Sequence, residues 1–308
     1  MSVPPVRPPL KWAGGKRQLL PQIRRFYPLD FGAYLEPFVG SGAVFFDLYN
    51  QGLLRQRRAV LLDTNTDLVG CYLAIRDDLH GVIDALEQLT AGHRANASTH
   101  YYDVRDRRFN PARLAIHNDR GPDETRYSAS VAAMLIYLNR TGFNGLFRLN
   151  SDGRFNVPIG RYQNPRICDP DNLKAVATAL RDNVTLETAP FESVLERAVE
   201  GDFVYLDPPY APLSPTAQFT SYTATRFSTE DQERVRQVVI ALAKRRCWVL
   251  LSNSTAPEIR RLYDDNAEAR AAGLQAHKVP ARRVINSDPA KRGDVQEYLI
   301  TNICRQSE

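Results

Sequence analysis

The sequence has little of what marks several large classes of protein. Across 308 residues no run approaches the ~18 apolar residues that cross a bilayer, so no membrane partner is expected. The segment Met1–Pro5 lacks the apolar core of a signal peptide, and the chain is expected to stay in the cytosol. Its four cysteines, Cys71, Cys168, Cys247 and Cys304, lie far apart with no C-x-x-C pair. They are read as idle or buried thiols rather than a zinc site or disulfide framework. His80, His93, His100, His117 and His277 show no ligand spacing, so no metal is expected. Ser41 and Ser252 have no paired His and Asp, which leaves a nucleophilic hydrolase unsupported. There is no internal repeat and no low-complexity tract. With 43% hydrophobic and 24% charged residues, long disorder, collagen and coiled coil are excluded as well.

What is there begins with an uneven charge. The formal net is +5, and between Tyr101 and Pro170 eleven Arg face seven Asp and Glu, a local net of +4. Arginine's planar fork suits phosphates and guanine edges, so a nucleic-acid partner is the first expectation, with a solvated helical surface as the alternative. The other Arg pairs, at 24–25, 57–58, 245–246, 260–261 and 282–283, read most simply as solvated faces. At about 150 residues per domain, the length suggests two domains or one core with an inserted lobe.

The first third alternates strand and helix. Tyr34–Val39 reads as a strand, a glycine turn follows, and a helix is predicted from Ala43 to Gln51. Arg58–Leu62 is a second strand ending at Asp63, with a helix from Thr66. That is a βαβ unit and implies a parallel sheet. From Gly70 to Arg140 apolar residues such as Val131, Leu135 and Leu138 recur at helical spacing. Asn139–Gly160 then carries Asn-Gly and Asp-Gly steps that predict a hairpin or ordered loop. Strands are expected again at Val184–Glu187, Phe203–Leu206, Cys247–Ser252 and Glu297–Thr301, with short helix after Pro190 and a capped helix over Thr229–Arg245. An α/β core, residues 1–69 and 166–308, is thus interrupted by a mainly helical, basic insertion at 70–165.

Three segments carry chemistry. Glu36-Pro37-Phe38-Val39-Gly40-Ser41-Gly42 ends the first strand, and its glycines let the backbone turn sharply against a ligand. The dinucleotide fingerprint would need glycine where Phe45 stands, so with Asp63 placed for ribose hydroxyls this says only that a nucleoside-containing cofactor or a plain tight turn is present. Lys11-Trp12-Ala13-Gly14-Gly15-Lys16-Arg17 fails as a phosphate loop, because Leu10 and Arg17 replace the required Gly and Ser or Thr. It could still wrap a small charged ligand. Asp207-Pro208-Pro209-Tyr210 is the sharpest signal. Two prolines after an apolar strand fix a rigid turn that presents Asp207 and Tyr210 at the strand's carboxyl end. A carboxylate and a prolyl carbonyl together can accept both hydrogens of an exocyclic amine, and the tyrosine can stack on a base face. Methyl transfer to an aromatic amine needs that arrangement.

In this order, these segments resemble the Dam-type DNA adenine-N6 methyltransferases. Asn139–Arg148, Phe155–Tyr162 and Ala211–Thr220 resemble that family's target-recognition and post-catalytic segments, so the likeness covers about residues 9–303. It implies a Rossmann-like methyltransferase core, mostly parallel sheet flanked by helices, with an inserted DNA target-recognition domain containing a β-hairpin. It implies an S-adenosylmethionine pocket in which Trp12, Ala13, Gly14, Lys16, Phe38 and Gly40 line the methionine side, Asp63 takes the ribose and Phe191 packs on the cofactor adenine. Asp207, Pro208, Pro209 and Tyr210 would hold the target adenine beside the cofactor, without a metal. Phe143 stands where the family usually has tyrosine, the ring that enters the stack beside the extruded base. Asn144, Leu146, Arg148 and Pro158 match the positions that read GATC, Lys11 reaches a base, Arg161 and Tyr162 hold the backbone, and Arg140 is grouped with the DNA-binding residues.

The resemblance therefore implies an adenine-specific enzyme acting on double-stranded DNA, within GATC, by base flipping and in-line transfer, as a monomer in solution. Two other readings are weighed: methylation of another amine, such as cytosine N4 or an RNA base, and a DNA-binding regulator with an inactive core. Asp rather than Ser at 207 argues against the former, and intact cofactor and catalytic segments argue against the latter.

Overall fold

Seven strands alternate apolar side chains between two faces, and both faces are covered. The computed structural model describes residues 4–12, 14–119, 127–211, 227–282 and 294–305. The strands are β1 (Tyr34–Glu36), β2 (Ala59–Asp63), β3 (Val184–Thr188), β4 (Phe203–Leu206), β5 (Trp248–Ser254), β6 (Gln275–Arg282) and β7 (Asp294–Thr301). They form one sheet in the order β3-β2-β1-β4-β5-β7-β6. β3 through β5 are parallel, while β7 runs antiparallel to both β5 and β6. Tyr34, Leu61, Phe203, Tyr205 and Leu250 enter one apolar cluster. Their strand neighbours Leu35, Val60, Leu62, Val204, Leu206 and Leu251 enter another. A sheet buried on both faces explains why these strands read as short continuous apolar runs.

The helices that matter here are α1 (Ala43–Asn50), α2 (Thr66–Asp77), α3 (Leu79–Ala95), α4 (Asn110–Asp119), α5 (Ala129–Thr141), α6 (Pro170–Ala179) and α7 (Thr229–Lys244). α7 starts with a complete capping box, Ser228 against Asp231, and buries Val235, Val239 and Leu242 on the second cluster. α2, α3 and α5 pack with the first cluster. The chain leaves β1 through β2 to β3 on one side, then returns to place β4 on the other side of β1. That reversal opens a crevice at the carboxyl ends of β1 and β4, where α/β proteins bind ligands.

Between α2 and α6 the chain builds a helical lobe and one long loop. The expected boundary at 69/70 falls inside α2, whose residues from Asp67 to Tyr72 are all buried. Asp67 ties the lobe down. Its carboxylate accepts from Arg113 Nε and Nη2 at 2.6 and 2.8 Å, from the Tyr127 hydroxyl, and lies 3.3 Å from His117 Nε2. The expected hairpin takes the form of an antiparallel loop with two isolated bridges, Gly142 to Ile159 and Leu149 to Phe155, and no continuous ladder. Four backbone hydrogen bonds cross it, Phe143 to Pro158, Gly160 to Thr141, Asn156 to Arg148 and Asn150 to Arg154, and lobe side chains take other backbone groups. Asn110 exchanges two hydrogen bonds with Phe155, and Tyr101 and Arg105 both donate to the Val157 carbonyl. Among the described residues no helix is long and apolar enough to cross a membrane.

Candidate active site

Gly40 and Gly42 make the turn between β1 and α1, with φ of +47° and +66° in the left-handed region that glycine tolerates. A Cβ on Gly40 would lie 3.3 Å from Cδ1 of Trp12, so the turn and the N-terminal segment pack closely. The Gly40 N–H donates to Asp63 Oδ2 at 3.0 Å, and Asn65 N–H donates to Oδ1 at 2.9 Å. Asp63 therefore sits at the end of β2 facing the turn. Burial pushes its pKa up, and these backbone donors pull against it. Beside them Phe38 stacks on Phe191 with centroids 5.1 Å apart.

One strand over, Asp207 leaves β4 into the Pro-Pro turn. Its Oδ1 lies 2.8 Å from Lys16 Nζ and accepts the Ser252 hydroxyl at 2.8 Å. Ser252 also shares a 3.0 Å hydrogen bond with the buried Tyr205 hydroxyl. Lys16 donates to the Gly14 carbonyl at 2.6 Å and stands 4.4 Å from the Tyr210 ring centroid. The side chains of Lys16 and Asp207 are only 8% and 19% exposed, so this pair is mostly removed from water. Burial raises the Asp207 pKa, and Lys16 and Ser252 lower it again. Glu36, fully buried behind the glycine turn, has its pKa pushed well up by burial, against the Tyr34 hydroxyl that donates to it at 2.8 Å.

The turn is braced from α7 and β5. Gln232 Nε2 donates to the Pro209 carbonyl at 2.8 Å, and Asn253 Nδ2 holds Gln232 at 3.0 Å. Ser254 donates to the Ala211 carbonyl at 2.7 Å, and the Tyr210 hydroxyl donates to Glu297 Oε2 at 2.7 Å. Sequence reasoning missed the bracing residues Gln232, Asn253, Ser254 and Glu297. The polar run Ser252–Ser254 ending a buried strand was a usable signal; Glu297 gave none.

The N-terminal segment joins this site to the long loop. Lys11 and Asn139 exchange two hydrogen bonds at 2.8 Å, and Asn139 also donates to the Gly145 carbonyl. Trp12 stacks on Phe147 at 5.6 Å, and Lys11 Nζ lies 4.3 Å from the Tyr162 ring centroid. On the loop, Phe143 is 49% exposed, Asn144, Pro158, Arg161 and Tyr162 are exposed, and Leu146 is half-buried. Arg148 is half-buried, its Nε donating to Asn156 Oδ1 at 2.7 Å. Arg140 differs from the rest of the DNA-binding set: its guanidinium donates to the Pro9 carbonyl at 2.6 Å, where burial lowers its pKa. It fastens the N-terminal segment rather than facing out. Ala13 and the segment 212–220 lie outside the described residues. Among the described residues no cluster of His, Cys, Asp and Glu could hold a metal ion.

A model of the D12 class N6 adenine-specific DNA methyltransferases matches residues 12–285. The chain is 38% identical to the type II methyltransferase M1.LlaDCHI of Lactococcus lactis subsp. cremoris, over 96% of this chain and 95% of that one. It is 39% identical to the type II methyltransferase M.MjaIII of Methanocaldococcus jannaschii, over 96% and 99%. It is 34% identical to the DNA adenine methylase of Escherichia coli K12, over 94% and 93%.

Proposed function

The chain belongs to the D12 class N6 adenine-specific DNA methyltransferases, and from that premise we propose that it methylates adenine N6 within GATC in duplex DNA, using S-adenosylmethionine and an extruded target base. The observation that carries the reading is the Lys16–Asp207–Ser252 cluster at the end of β4, one strand from the Gly40 turn that ends β1 and two from Asp63 on β2. The residues present fit the cofactor. Asp63 keeps lone pairs beyond those used by Gly40 and Asn65 and suits ribose hydroxyls. Trp12, Gly14, Lys16, Phe38 and Gly40 would line its methionine side, and Phe191 would pack on its adenine. When bound, S-adenosylmethionine supplies an electrophilic methyl group.

The protein's part is to present the amine. Lys16 and Ser252 both engage Oδ1 of Asp207, which directs Oδ2 to one N6 hydrogen. Gln232 engages the Pro209 carbonyl, so the Pro208 carbonyl takes the other hydrogen. Accepting both draws the nitrogen lone pair out of ring conjugation, and Tyr210 stacks on the base, a contact worth about 1–3 kcal/mol. Alignment and fixed dipoles lower the barrier, and Asp207 need not be a strong base, because the proton leaves after the nitrogen has become cationic. The amine is paired inside the duplex, so the base must leave the stack, and the exposed Phe143 ring suits the gap beside it.

Arg148, Leu146, Pro158 and Lys11 support GATC as the site, with the Arg148 fork suited to guanine. The test is a plasmid propagated with the gene in a methylase-free host, followed by mapping of modified bases. N6-methyladenine in GATC is expected. Modification of another adenine motif would overturn the roles of Arg148, Leu146 and Pro158, and modified cytosine or unmodified DNA would overturn the reaction itself.

A further inference from the structure

The Tyr210 ring does not owe its position to the Pro-Pro turn alone. Prolines fix φ of the backbone, but a tyrosine beyond them still rotates about two side-chain bonds. Here the ring is held at two places: Lys16 Nζ stands over its face at 4.4 Å, and its hydroxyl donates to Glu297 Oε2 at 2.7 Å. Glu297 comes from β7, the antiparallel strand, about ninety residues beyond the turn in sequence. Its backbone is itself fixed, because β7 pairs with both β5 and β6, setting Glu297 opposite Ser254 and Val279. Ser254 holds the Ala211 carbonyl and, two residues earlier on the same face, Ser252 holds Asp207. The β5–β7 pair thus grips the catalytic turn at three points. A hydrogen bond to a carboxylate is among the stronger neutral-donor bonds, and its short length suits an orienting role.

We propose that Glu297 is a positioning residue for the methyl-transfer reaction: from the antiparallel edge of the sheet it fixes the Tyr210 hydroxyl and so sets the plane in which the target base stacks. This rests on the reading of Tyr210 as the stacking ring. Burial, with the negative charge of Asp207 and Glu297 nearby, raises the Tyr210 pKa well above that of a free phenol, which keeps the hydroxyl a donor.

The role separates from a simple charge effect on Asp207, because glutamine keeps the acceptor oxygen while losing the charge. Single-turnover methylation of a duplex containing one target adenine is measured for the wild type, Glu297→Ala, Glu297→Gln, Tyr210→Phe and the double variant Tyr210→Phe/Glu297→Ala. Glu297→Ala is expected to slow transfer about tenfold with S-adenosylmethionine affinity unchanged, and Tyr210→Phe to show a similar loss. Glu297→Gln is expected within about threefold of wild type, and the double variant no slower than either single one. Glu297→Ala at the wild-type rate, Glu297→Gln as slow as Glu297→Ala, or additive losses in the double variant would each overturn the inference while leaving the adenine-methylating reading intact. A wild-type protein that transfers no methyl to the duplex overturns both.

Discussion

Asp207 shows how one side chain serves stability and chemistry at once. Its carboxylate is the partner of a Lys16 ammonium that is 8% exposed, so removing it strands a charge with little water to replace the partner. Asp207→Ala is expected to abolish methyl transfer and to cost about 3 kcal/mol of stability. Asp207→Asn keeps an acceptor for Lys16 and Ser252; it should lose transfer equally but unfold at a higher temperature than the alanine variant. Methyl incorporation and calorimetry on the two proteins check this, and an alanine variant as stable as wild type would remove the ion pair from the account. At this scale the sequence was informative where a rare arrangement fixes chemistry by itself, as in Asp207–Tyr210. It was silent on Gln232 and Glu297, ordinary polar residues made relevant only by what they face. Arg140 shows the converse: an arginine in a basic segment that spends its donors on backbone carbonyls.

Among the elements, α2 and the lobe that follows it share one buried carboxylate. Asp67 on α2 holds Arg113 and His117 on α4 and Tyr127 ahead of α5. Burial pushes its pKa up, but hydrogen bonds from His117 and Arg113 with the Arg113 charge outweigh that and leave it below the ordinary value. A carboxylate with a lowered folded pKa stabilises the fold above its unfolded pKa, about 3.9, and loses that contribution as pH falls through the folded value. Asp67→Asn should therefore cost about 3 kcal/mol at neutral pH, with the difference from wild type shrinking below about pH 4. Thermal unfolding of both proteins across pH 3–7 measures it; a gap that does not change with pH would sink the assignment. Strand and helix positions were legible wherever apolar periodicity was strong. β6 was not, because Gln275–Arg282 is an edge strand of mixed polarity containing Pro280. The hairpin or ordered loop expected at 139–160 is an antiparallel loop in which some backbone groups pair across it and others bond lobe side chains, a division no local pattern encodes.

For the molecule as a whole, charge placement needs the structure. Of the eleven arginines behind the local +4, Arg113 is buried on Asp67, and the half-buried Arg140 donates to the Pro9 carbonyl. The outward charge is accordingly smaller than the count. In the other direction, Glu36, Asp63 and Asp207 converge at the carboxyl ends of three neighbouring strands, and burial raises the pKa of each. A raised carboxylate favours the fold at acid pH and loses that contribution as pH rises through the folded value. Glu36→Gln should thus gain in melting temperature relative to wild type as pH rises from 5 to 9. A difference that is flat or reversed over that range would mean Glu36 is not held in its protonated form.

Apart from the edge strand β6, the sequence by itself determined the order of strands along the chain, the glycine turn, the Pro-Pro turn and the family to which they point, because each depends on residues close together in the chain. Only the tertiary structure decided which strands are neighbours, that Lys16 meets Asp207 across 191 positions, and that an antiparallel edge strand delivers Glu297 to Tyr210. Those outcomes follow from burying both faces of one sheet. That requirement acts on the whole chain at once and leaves no mark in any short stretch of it.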